Sequence, residues 1–332
     1  MKHSMGAAIT CTGAVIGAGF ASGREVVTFF SRYGENAWWL ILLSVAVMVL
    51  LSCLCMLAAR KCAADGCWCA LFEADGTGAR ICTVMLLVLT SGAMVSASGS
   101  LMALLWAHRW AYFIGAAGTL ITAWALGRRG VRWLGWISTL MTALLFFAVV
   151  LAMSRAPEME SARLIPHSAD GWAALRAVGY AAMNMTLAIG VVCRCANGGS
   201  ARRFGWAFGS IMAVLLYTSN ALYLRHPEVH SSAFPIVELL RCLGRKGFLV
   251  SVAVLYLSVF TTMTATLCAL GSAVKRPAAV LILPLLASCA GFSGIVDRLY
   301  APAGLICVLL VFAPLCLTQI QSGTKERLDN LE

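Results

Sequence analysis

The chain has 332 residues, of which 61% are hydrophobic and only 12% charged, with a formal net charge of +11. A soluble domain carries about a quarter charged residues, so this composition excludes a water-soluble globular protein and predicts an integral membrane protein. The apolar runs do not alternate with a period of two, which favours spanning helices over a β-barrel. Lysine and arginine accumulate in cytoplasmic loops of membrane proteins, so the positive charge does not indicate nucleic-acid binding.

We predict an all-α polytopic protein with about ten spans, numbered 1 to 10 in chain order. They cover approximately residues 5–30, 37–58, 80–106, 110–126, 131–153, 171–193, 204–224, 247–271, 277–292 and 299–318. The link Ser154–Asp170 separates a first half, 1–153, from a second half, 154–318, and a polar tail follows at 319–332. A short non-spanning helix is expected at Ile236–Leu243. No cleavage site follows the first apolar run, so span 1 is expected to remain in the mature protein.

Lysine and arginine are more numerous on the side of the membrane that contains the N-terminus. This bias predicts a multi-pass protein of the cell membrane with both termini in the cytoplasm. Each half holds five spans, an odd number, so the two halves run in opposite directions. Transporters built from such inverted repeats carry interrupted helices at corresponding positions of the two halves.

Span 1 contains a cluster of glycines, Gly13, Gly17, Gly19 and Gly23. A glycine in a helix interior costs about 1 kcal/mol relative to alanine. We predict that span 1 breaks near Gly17–Gly19, so that carbonyl groups before the break can bind a small cation and N–H groups after it a carboxylate. Close helix packing is the alternative, because the glycines form two G-x-x-x-G pairs.

Span 6 corresponds to span 1 in the second half. Asn184 lies near its middle, with Gly179 and Gly190 on either side. An amide without an obvious partner between two glycines is the pattern expected of a second interrupted helix. We therefore predict that span 6 is broken as well.

Span 8 is rich in hydroxyl side chains. Ser258, Thr261 and Thr262 are spaced i, i+3 and i+4, so they share one helical face. Hydroxyl and carbonyl oxygens are the ligands that hard cations prefer, and this face is a candidate sodium site. The alternative is that these hydroxyls bond to carbonyls of their own helix.

Span 1 also carries two adjacent charges, Arg24 and Glu25. Charges inside a membrane usually face a cavity or a partner, so the pair is a candidate gate of the outer pathway. The alternative is that both side chains extend to the outer interface without a transport role. Asp297–Arg298, between spans 9 and 10, is a possible partner or a plain loop pair.

The stretch Gly13–Glu25, GAVIGAGFASGRE, together with Phe29–Phe30 and Tyr33–Gly34, resembles the signature of YkvI-type membrane proteins. That family is similar to the amino acid–polyamine–organocation superfamily, whose members have the LeuT-type fold of five plus five inverted spans. The resemblance extends to the span layout of the whole chain and is most specific in span 1. It implies a secondary transporter.

The resemblance also implies a sodium site between spans 1 and 8 and a solute site between spans 1 and 6. The sodium ligands would be the carbonyl oxygens of Gly13, Ile16 and Ser258 and the hydroxyls of Thr261 and Thr262. The solute would contact Gly17, Ala18, Gly19 and Phe20 in span 1 and Met183, Asn184, Met185 and Thr186 in span 6.

Two positions depart from the family pattern. Phe20 stands where symporters with a second sodium site have asparagine, so that second site is not expected. Arg24 stands where the signature has glutamine. Proton-coupled relatives often place a lysine or arginine in span 5, and the interior of span 5 here has none. This favours sodium over protons as the coupling ion.

These features predict a sodium-coupled symporter of a small organic solute, an amino acid or related carboxylate, with Na⁺ as coupling ion and no cofactor. A solute-sensing receptor on the same fold, without net transport, is the alternative. An enzyme is not favoured, because the chain has neither an H-E-x-x-H nor a G-x-S-x-G motif. The expected lack of an acidic side chain near the breaks argues against a polyamine as solute.

The loop between spans 2 and 3 carries Cys62, Cys67 and Cys69. Closely spaced thiols can bind a structural metal. No histidine accompanies them, and most other cysteines lie in apolar segments, where they act as small apolar residues.

Overall fold

A computed structural model describes residues 2–61, 77–128, 134–155, 171–194, 200–274 and 276–317. The regular structure in these ranges is helical. Six helical stretches are long and apolar enough to cross a membrane: Ser31–Arg60, Thr77–Leu105, Gly171–Cys193, Ala201–Arg225, Pro235–Ala273 and Phe292–Leu317. Four shorter apolar helices are Met5–Val15, Ala111–Gly127, Ala143–Arg155 and Pro277–Ser288. The prediction of an all-α polytopic membrane protein is confirmed.

The ten predicted spans each correspond to a helical segment. Span 1 consists of three helices, Lys2–Val15, Ala18–Ser22 and Arg24–Phe29. Spans 2 to 9 are Ala37–Lys61, Thr77–Leu105, Ala111–Gly127, Leu134–Arg155, Gly171–Arg194, Ala201–Arg225, Gly244–Ala273 and Pro277–Ser288. Span 10 begins at Phe292–Gly294 and continues through Ile295–Leu299, Tyr300–Cys307 and Val308–Phe312.

Span 1 is interrupted at the position where its glycine cluster predicted a break. The first helix ends at Val15, and Gly17 is extended, with φ −89° and ψ −172°. A second change of direction follows at Gly23, whose φ of 83° lies in the left-handed region that favours glycine. Span 1 is therefore divided twice, and the middle helix is only five residues long.

The predicted interruption of span 6 is wrong, because Gly171–Arg194 is one continuous helix. A side chain on Gly304 of span 10 would overlap the carbonyl oxygen of Gly179, so the two helices cross at their glycines. The Asn184 amide donates to the carbonyl oxygen of Tyr180 at 3.0 Å, so it is bonded within its own helix. Packing explains Gly179, and nothing in the described helix requires a break.

Span 10 starts earlier and is less regular than predicted. Its first helical residue is Phe292, and it contains two π-helical turns, Ile295–Leu299 and Val308–Phe312. π-Helical turns inside α-helices are frequent at functional sites. The first of them holds Asp297 within a helical segment instead of in a loop.

Span 6 lies at the centre of the bundle, between spans 2 and 10. The first helix of span 1 packs against spans 5, 6 and 7, whereas the middle helix, Ala18–Ser22, packs against span 8. Span 8 also contacts spans 3 and 4. The middle helix of span 1, which holds the predicted solute residues Ala18–Phe20, is therefore in contact with span 8, which holds predicted cation ligands.

The link before span 8 contains the predicted short helix, at Pro235–Leu240 followed by a 3₁₀ turn at Arg241–Leu243. A 3₁₀ segment, Pro227–Ser231, precedes it. The loop with Cys62, Cys67 and Cys69, residues 156–170 of the link between the halves, and the tail after residue 317 lie outside the described residues.

Candidate solute and cation site

The break in span 1 frees backbone groups at its centre. Because the chain is extended at Gly17, the N–H groups of Ala18, Gly19 and Phe20 begin a new helix and have no helical carbonyl before them. Helical bonding resumes when the Ala21 N–H donates to the carbonyl oxygen of Gly17 at 2.9 Å. The middle helix is buried along its whole length.

Span 8 approaches the break through Thr262. A β-carbon built on Gly17 would lie 3.4 Å from both Oγ1 and Cγ2 of Thr262, so the threonine side chain covers the extended residue. Of the other predicted cation ligands, Ile16 lies in the break and Gly13 in the last turn of the first helix. The structure thus places Thr262 at the break, as a site between spans 1 and 8 requires.

Other hydroxyls of span 8 are bonded within their helix. Thr261 Oγ1 donates to the carbonyl oxygen of Ser258 at 3.0 Å, and Thr266 Oγ1 donates to that of Thr262 at 3.0 Å. The alternative that these hydroxyls bond back to their own helix is therefore the observed arrangement at Thr261. The Thr261 oxygen keeps its lone pairs while it donates this bond, so the bond does not prevent it from binding a cation.

The four residues predicted for the solute in span 6, Met183, Asn184, Met185 and Thr186, are all buried. Thr186 Oγ1 donates to the carbonyl oxygen of Ala182 at 2.8 Å, and Asn184 is bonded to Tyr180. Both polar side chains of this set are thus bonded inside a continuous helix. No freed backbone group faces the break in span 1 from this helix, and a solute role for these residues stays a prediction.

Arg24 joins three parts of the chain. Its Nε donates to Oδ1 of Asp297 at 3.0 Å, and a second nitrogen, Nη2, pairs with Oδ2. Its Nη1 donates to the carbonyl oxygens of His230 at 2.7 Å and Ser232 at 2.9 Å. Arg24 therefore connects the third helix of span 1 to the π-turn of span 10 and to the segment between spans 7 and 8.

Asp297 gathers further contacts from spans 1 and 6. Thr28 Oγ1 donates to Asp297 Oδ1 at 2.6 Å, and Arg176 Nη2 donates to the Asp297 carbonyl oxygen at 3.1 Å. Of the two possibilities for Asp297–Arg298, the structure shows a partner of Arg24 and not a plain loop pair. The sequence could suggest this only weakly, since 273 positions separate Arg24 from Asp297.

Glu25 turns inward instead of towards the interface. Its side chain is only 6% exposed, and its carboxylate lies against Gly19, where any β-carbon would overlap Oε1. The alternative in which Arg24 and Glu25 extend to the interface is therefore wrong. An acidic side chain does lie beside the break, contrary to the sequence expectation, so the argument against a polyamine no longer holds.

Two tyrosines near Glu25 were not singled out from the sequence. The carboxylate lies within electrostatic range of the phenols of Tyr180 in span 6 and Tyr300 in span 10. The ring of Tyr180 packs against Phe29 and Phe30, with ring centroids 5.0 Å and 5.2 Å apart. Tyrosines inside spans are usually ordinary core residues, so the local sequence does not identify these two as part of a site.

No family model matches the chain. An uncharacterized membrane protein of Bacillus subtilis strain 168, YkvI, is 27% identical to it over 345 residues, covering 95% of this chain and 97% of the relative. The motif in span 1 that resembles YkvI-type proteins is thus accompanied by similarity along nearly the whole sequence.

Two solved structures show a similar fold. A manganese transporter of Eremococcus coleocola, in complex with an aromatic bis-isothiourea substituted compound, matches with a TM-score of 0.50 and 13% identity. A histidine-to-alanine mutant of that transporter matches with a TM-score of 0.52 and 16% identity. Each match covers 98% of this chain and 72% of the transporter. The chain is therefore a polytopic helical membrane protein whose fold is similar to that of a solved membrane transporter.

Proposed function

We propose that the protein is a secondary active transporter of a small organic solute, an amino acid or a related carboxylate, that is coupled to sodium and works by alternating access. The observation that carries this proposal is the break of span 1 at Ile16–Gly17, covered by Thr262 of span 8. Interrupted helices of this kind supply backbone groups for ions and solutes in secondary transporters. The fold of the solved transporter supports the same class.

The sodium ion would lie between the end of the first helix and span 8. Carbonyl oxygens of Gly13, Ile16 and Ser258 and the hydroxyls of Thr261 and Thr262 would bind it. Thr262 Oγ1 already lies beside Gly17, which supports a site at this level. The carboxylate of the solute would accept hydrogen bonds from the N–H groups of Ala18, Gly19 and Phe20, at the positive end of a helix.

The contacts of Arg24 would form the closed outer gate. The Arg24–Asp297 pair joins spans 1 and 10 beside the buried middle helix, and the bonds to His230 and Ser232 attach the link between spans 7 and 8 to the same point. Breaking these contacts of Arg24 would free the third helix of span 1 to move at Gly23. Hinges made of a few loop or helix-terminal residues are one of the ways in which proteins open and close.

Sodium binding can be tested without knowing the solute. The purified protein is heated in sodium chloride and in choline chloride of equal ionic strength, since a bound ion raises the apparent stability. We expect a melting temperature that rises with sodium, and loss of this rise in Thr261→Ala/Thr262→Ala. Thr122→Ala is the matched control, because Thr122 is exposed on span 4 and bonds to the carbonyl oxygen of Gly118 at 2.7 Å. A rise that survives in the double variant would overturn this sodium site.

Transport itself is tested in proteoliposomes loaded with sodium on one side. Labelled amino acids and carboxylates that stabilise the protein in a thermal screen are offered as solutes, and we expect uptake that depends on the direction of the sodium gradient. Tight binding without any flux would contradict a transporter and would favour the solute-sensing receptor. Solute flux that does not depend on the sodium gradient would support a transporter but would contradict sodium coupling.

A further inference from the structure

Glu25 is a buried carboxyl group that forms no ion pair with a cation of the described residues. Within the described part of the chain, its carboxylate takes part in no hydrogen bond or ion pair, although the side chain is only 6% exposed. An ionised carboxylate removed from water is strongly disfavoured unless it is paired and hydrogen-bonded. This environment therefore suits a neutral carboxyl group.

Two arginines of the surrounding helices make their contacts with other groups. Arg24, the adjacent residue, uses its guanidinium on Asp297, His230 and Ser232. Arg176 donates to the Asp297 carbonyl oxygen and lies over the ring of Phe29, 5.9 Å from its centroid. The Arg24 guanidinium cannot neutralise Glu25 without giving up these contacts. The Arg176 guanidinium, whose Nε has no hydrogen-bond partner among the described residues, does not pair with Glu25.

A polar group near Glu25 also lacks a hydrogen-bond partner among the described residues. The Tyr180 hydroxyl is buried and has no hydrogen-bond partner in the part of the chain that the structure describes, and it lies within electrostatic range of the carboxylate. The carboxylate also lies against Gly19, which has no side chain to offer. A buried carboxyl group and a buried phenol thus lie within electrostatic range of each other, and neither has a hydrogen-bond partner among the described residues.

We propose that Glu25 is a proton-binding site of the closed state, which holds a proton while the Arg24–Asp297 cluster is intact and releases it when the third helix of span 1 moves outward. On opening, the O–H bond of the Glu25 carboxyl breaks, and the proton passes to water on the side of the membrane where Arg24 lies. On closing, the carboxylate takes a proton back. The proposal concerns the closed state itself and does not depend on the identity of the solute.

The position of Glu25 explains why this proton would be linked to the gate. It is adjacent to Arg24 in sequence, it follows the hinge at Gly23, and its carboxylate touches the middle helix at Gly19. Movement of the third helix therefore exposes Glu25 and separates Arg24 from Asp297 in one step. The closed form binds one more proton than the open form, so a higher pH favours opening by up to about tenfold per pH unit.

Other titratable and charged groups lie on the elements packed against the third helix. They include Arg32, Tyr33 and Glu35 in the turn after it, Arg176 and Tyr180 in span 6, Tyr223 and Arg225 in span 7, and Asp297 and Arg298 in span 10. His230 contacts Arg24, and Tyr300 lies within electrostatic range of Glu25. Arginine, tyrosine and acidic side chains ordinarily titrate outside the range from about pH 7 to 9. Burial lowers the pKa of His230, so this histidine stays neutral there.

Hydrogen exchange of the full chain in nanodiscs, read by mass spectrometry, tests the proposal. Peptides covering residues 18–36 are followed between about pH 7 and 9, with labelling times corrected for intrinsic exchange, since an exposed carboxyl is ionised throughout this range. We expect wild-type exchange in this segment to rise by at least about tenfold across the range. Glu25→Gln, which resembles the protonated side chain, is expected to exchange slowly at every pH.

Glu35→Gln is the matched control, because Glu35 is exposed in the turn that follows the same helix, and it should keep the wild-type profile. A flat wild-type profile would overturn the proposal, and so would a Glu25→Gln profile that rises like the wild type. The wild-type series decides the question even if Glu25→Gln fails to fold. A failure to observe sodium-driven uptake would not change the expected hydrogen-exchange profiles. The proton-binding proposal and the transport proposal can therefore be contradicted independently.

Discussion

The guanidinium of Arg24 pairs with the carboxylate of Asp297 through two nitrogens, which joins the third helix of span 1 to the π-turn of span 10. The two side chains are 12% and 27% exposed, so this is a largely buried pair. Removing one partner of a buried pair costs about 3–5 kcal/mol, whereas exposed pairs contribute about 0–1 kcal/mol. The contribution of the Arg24–Asp297 pair to stability should lie between these limits.

Asp297→Asn is therefore expected to lower the free energy of unfolding by about 1–3 kcal/mol, because Arg24 keeps its bonds to His230 and Ser232 but loses its counter-charge. The measurement is the melting temperature of the purified protein. Arg241→Gln is the control, since it breaks the exposed pair with Glu238 and should change stability by less than about 1 kcal/mol. Equal effects of the two substitutions would contradict a special role for Asp297.

Gly19→Ala should be destabilising because its methyl group would overlap Oε1 of Glu25. Forcing atoms into a packed interior costs about 1–3 kcal/mol. The same change at Gly118, where nothing lies within 4 Å, should stabilise by up to about 1 kcal/mol, as expected for glycine in a helix. Thermal unfolding of both variants makes the comparison.

A double-mutant cycle locates the cause of the Gly19 effect. In a Glu25→Ala background the overlapping carboxylate is absent, so Gly19→Ala should then cost much less. An unchanged cost in that background would show that Glu25 does not lie against Gly19.

Gly304→Ala is expected to separate spans 6 and 10. The added methyl group would overlap the carbonyl oxygen of Gly179, and a backbone atom cannot move aside as a side chain can. We expect a loss of at least about 1–3 kcal/mol in stability, measured by thermal unfolding. Gly271→Ala, with nothing within 4 Å, is the control. A harmless Gly304→Ala would contradict the crossing of these helices at their glycines.

His230 should make the protein less stable in mild acid. Burial lowers the pKa of His230, while its ring Nε2 bonds to the carbonyl oxygen of Tyr223 at 2.8 Å. The unfolded chain takes up a proton as the pH falls through about 6.5, whereas the folded protein does not, so stability is present above that pH and declines below it. The melting temperature followed from about pH 7.5 to 5 should fall less steeply in His230→Gln than in wild type.

His108→Gln provides the comparison, because His108 lies exposed in the turn before span 4. It should keep the wild-type slope. Identical slopes for wild type and His230→Gln would rule out this histidine as the cause.

The local sequence was sufficient for the class of protein, the positions of the ten helical segments and the break in span 1. Each of these depends on properties that act over one helix length: the hydrophobicity of about 20 residues decides a span, and the glycines around Gly17 weaken one helix without any partner. The short helix at Pro235–Leu240 was predictable for the same reason, since proline and the residues around it act locally.

The tertiary structure decided everything that depends on a neighbour from a distant part of the chain. Gly17 and Gly179 look alike in sequence, yet one lies in a break and the other contacts Gly304. The glycine cluster weakens span 1 locally, whereas the role of Gly179 depends on the helix that faces it. Glu25 is buried against Gly19 of the preceding helix, and the partner of Arg24 lies 273 positions away. Composition and spacing thus determined which segments enter the membrane, whereas the packing of those segments determined which charges meet.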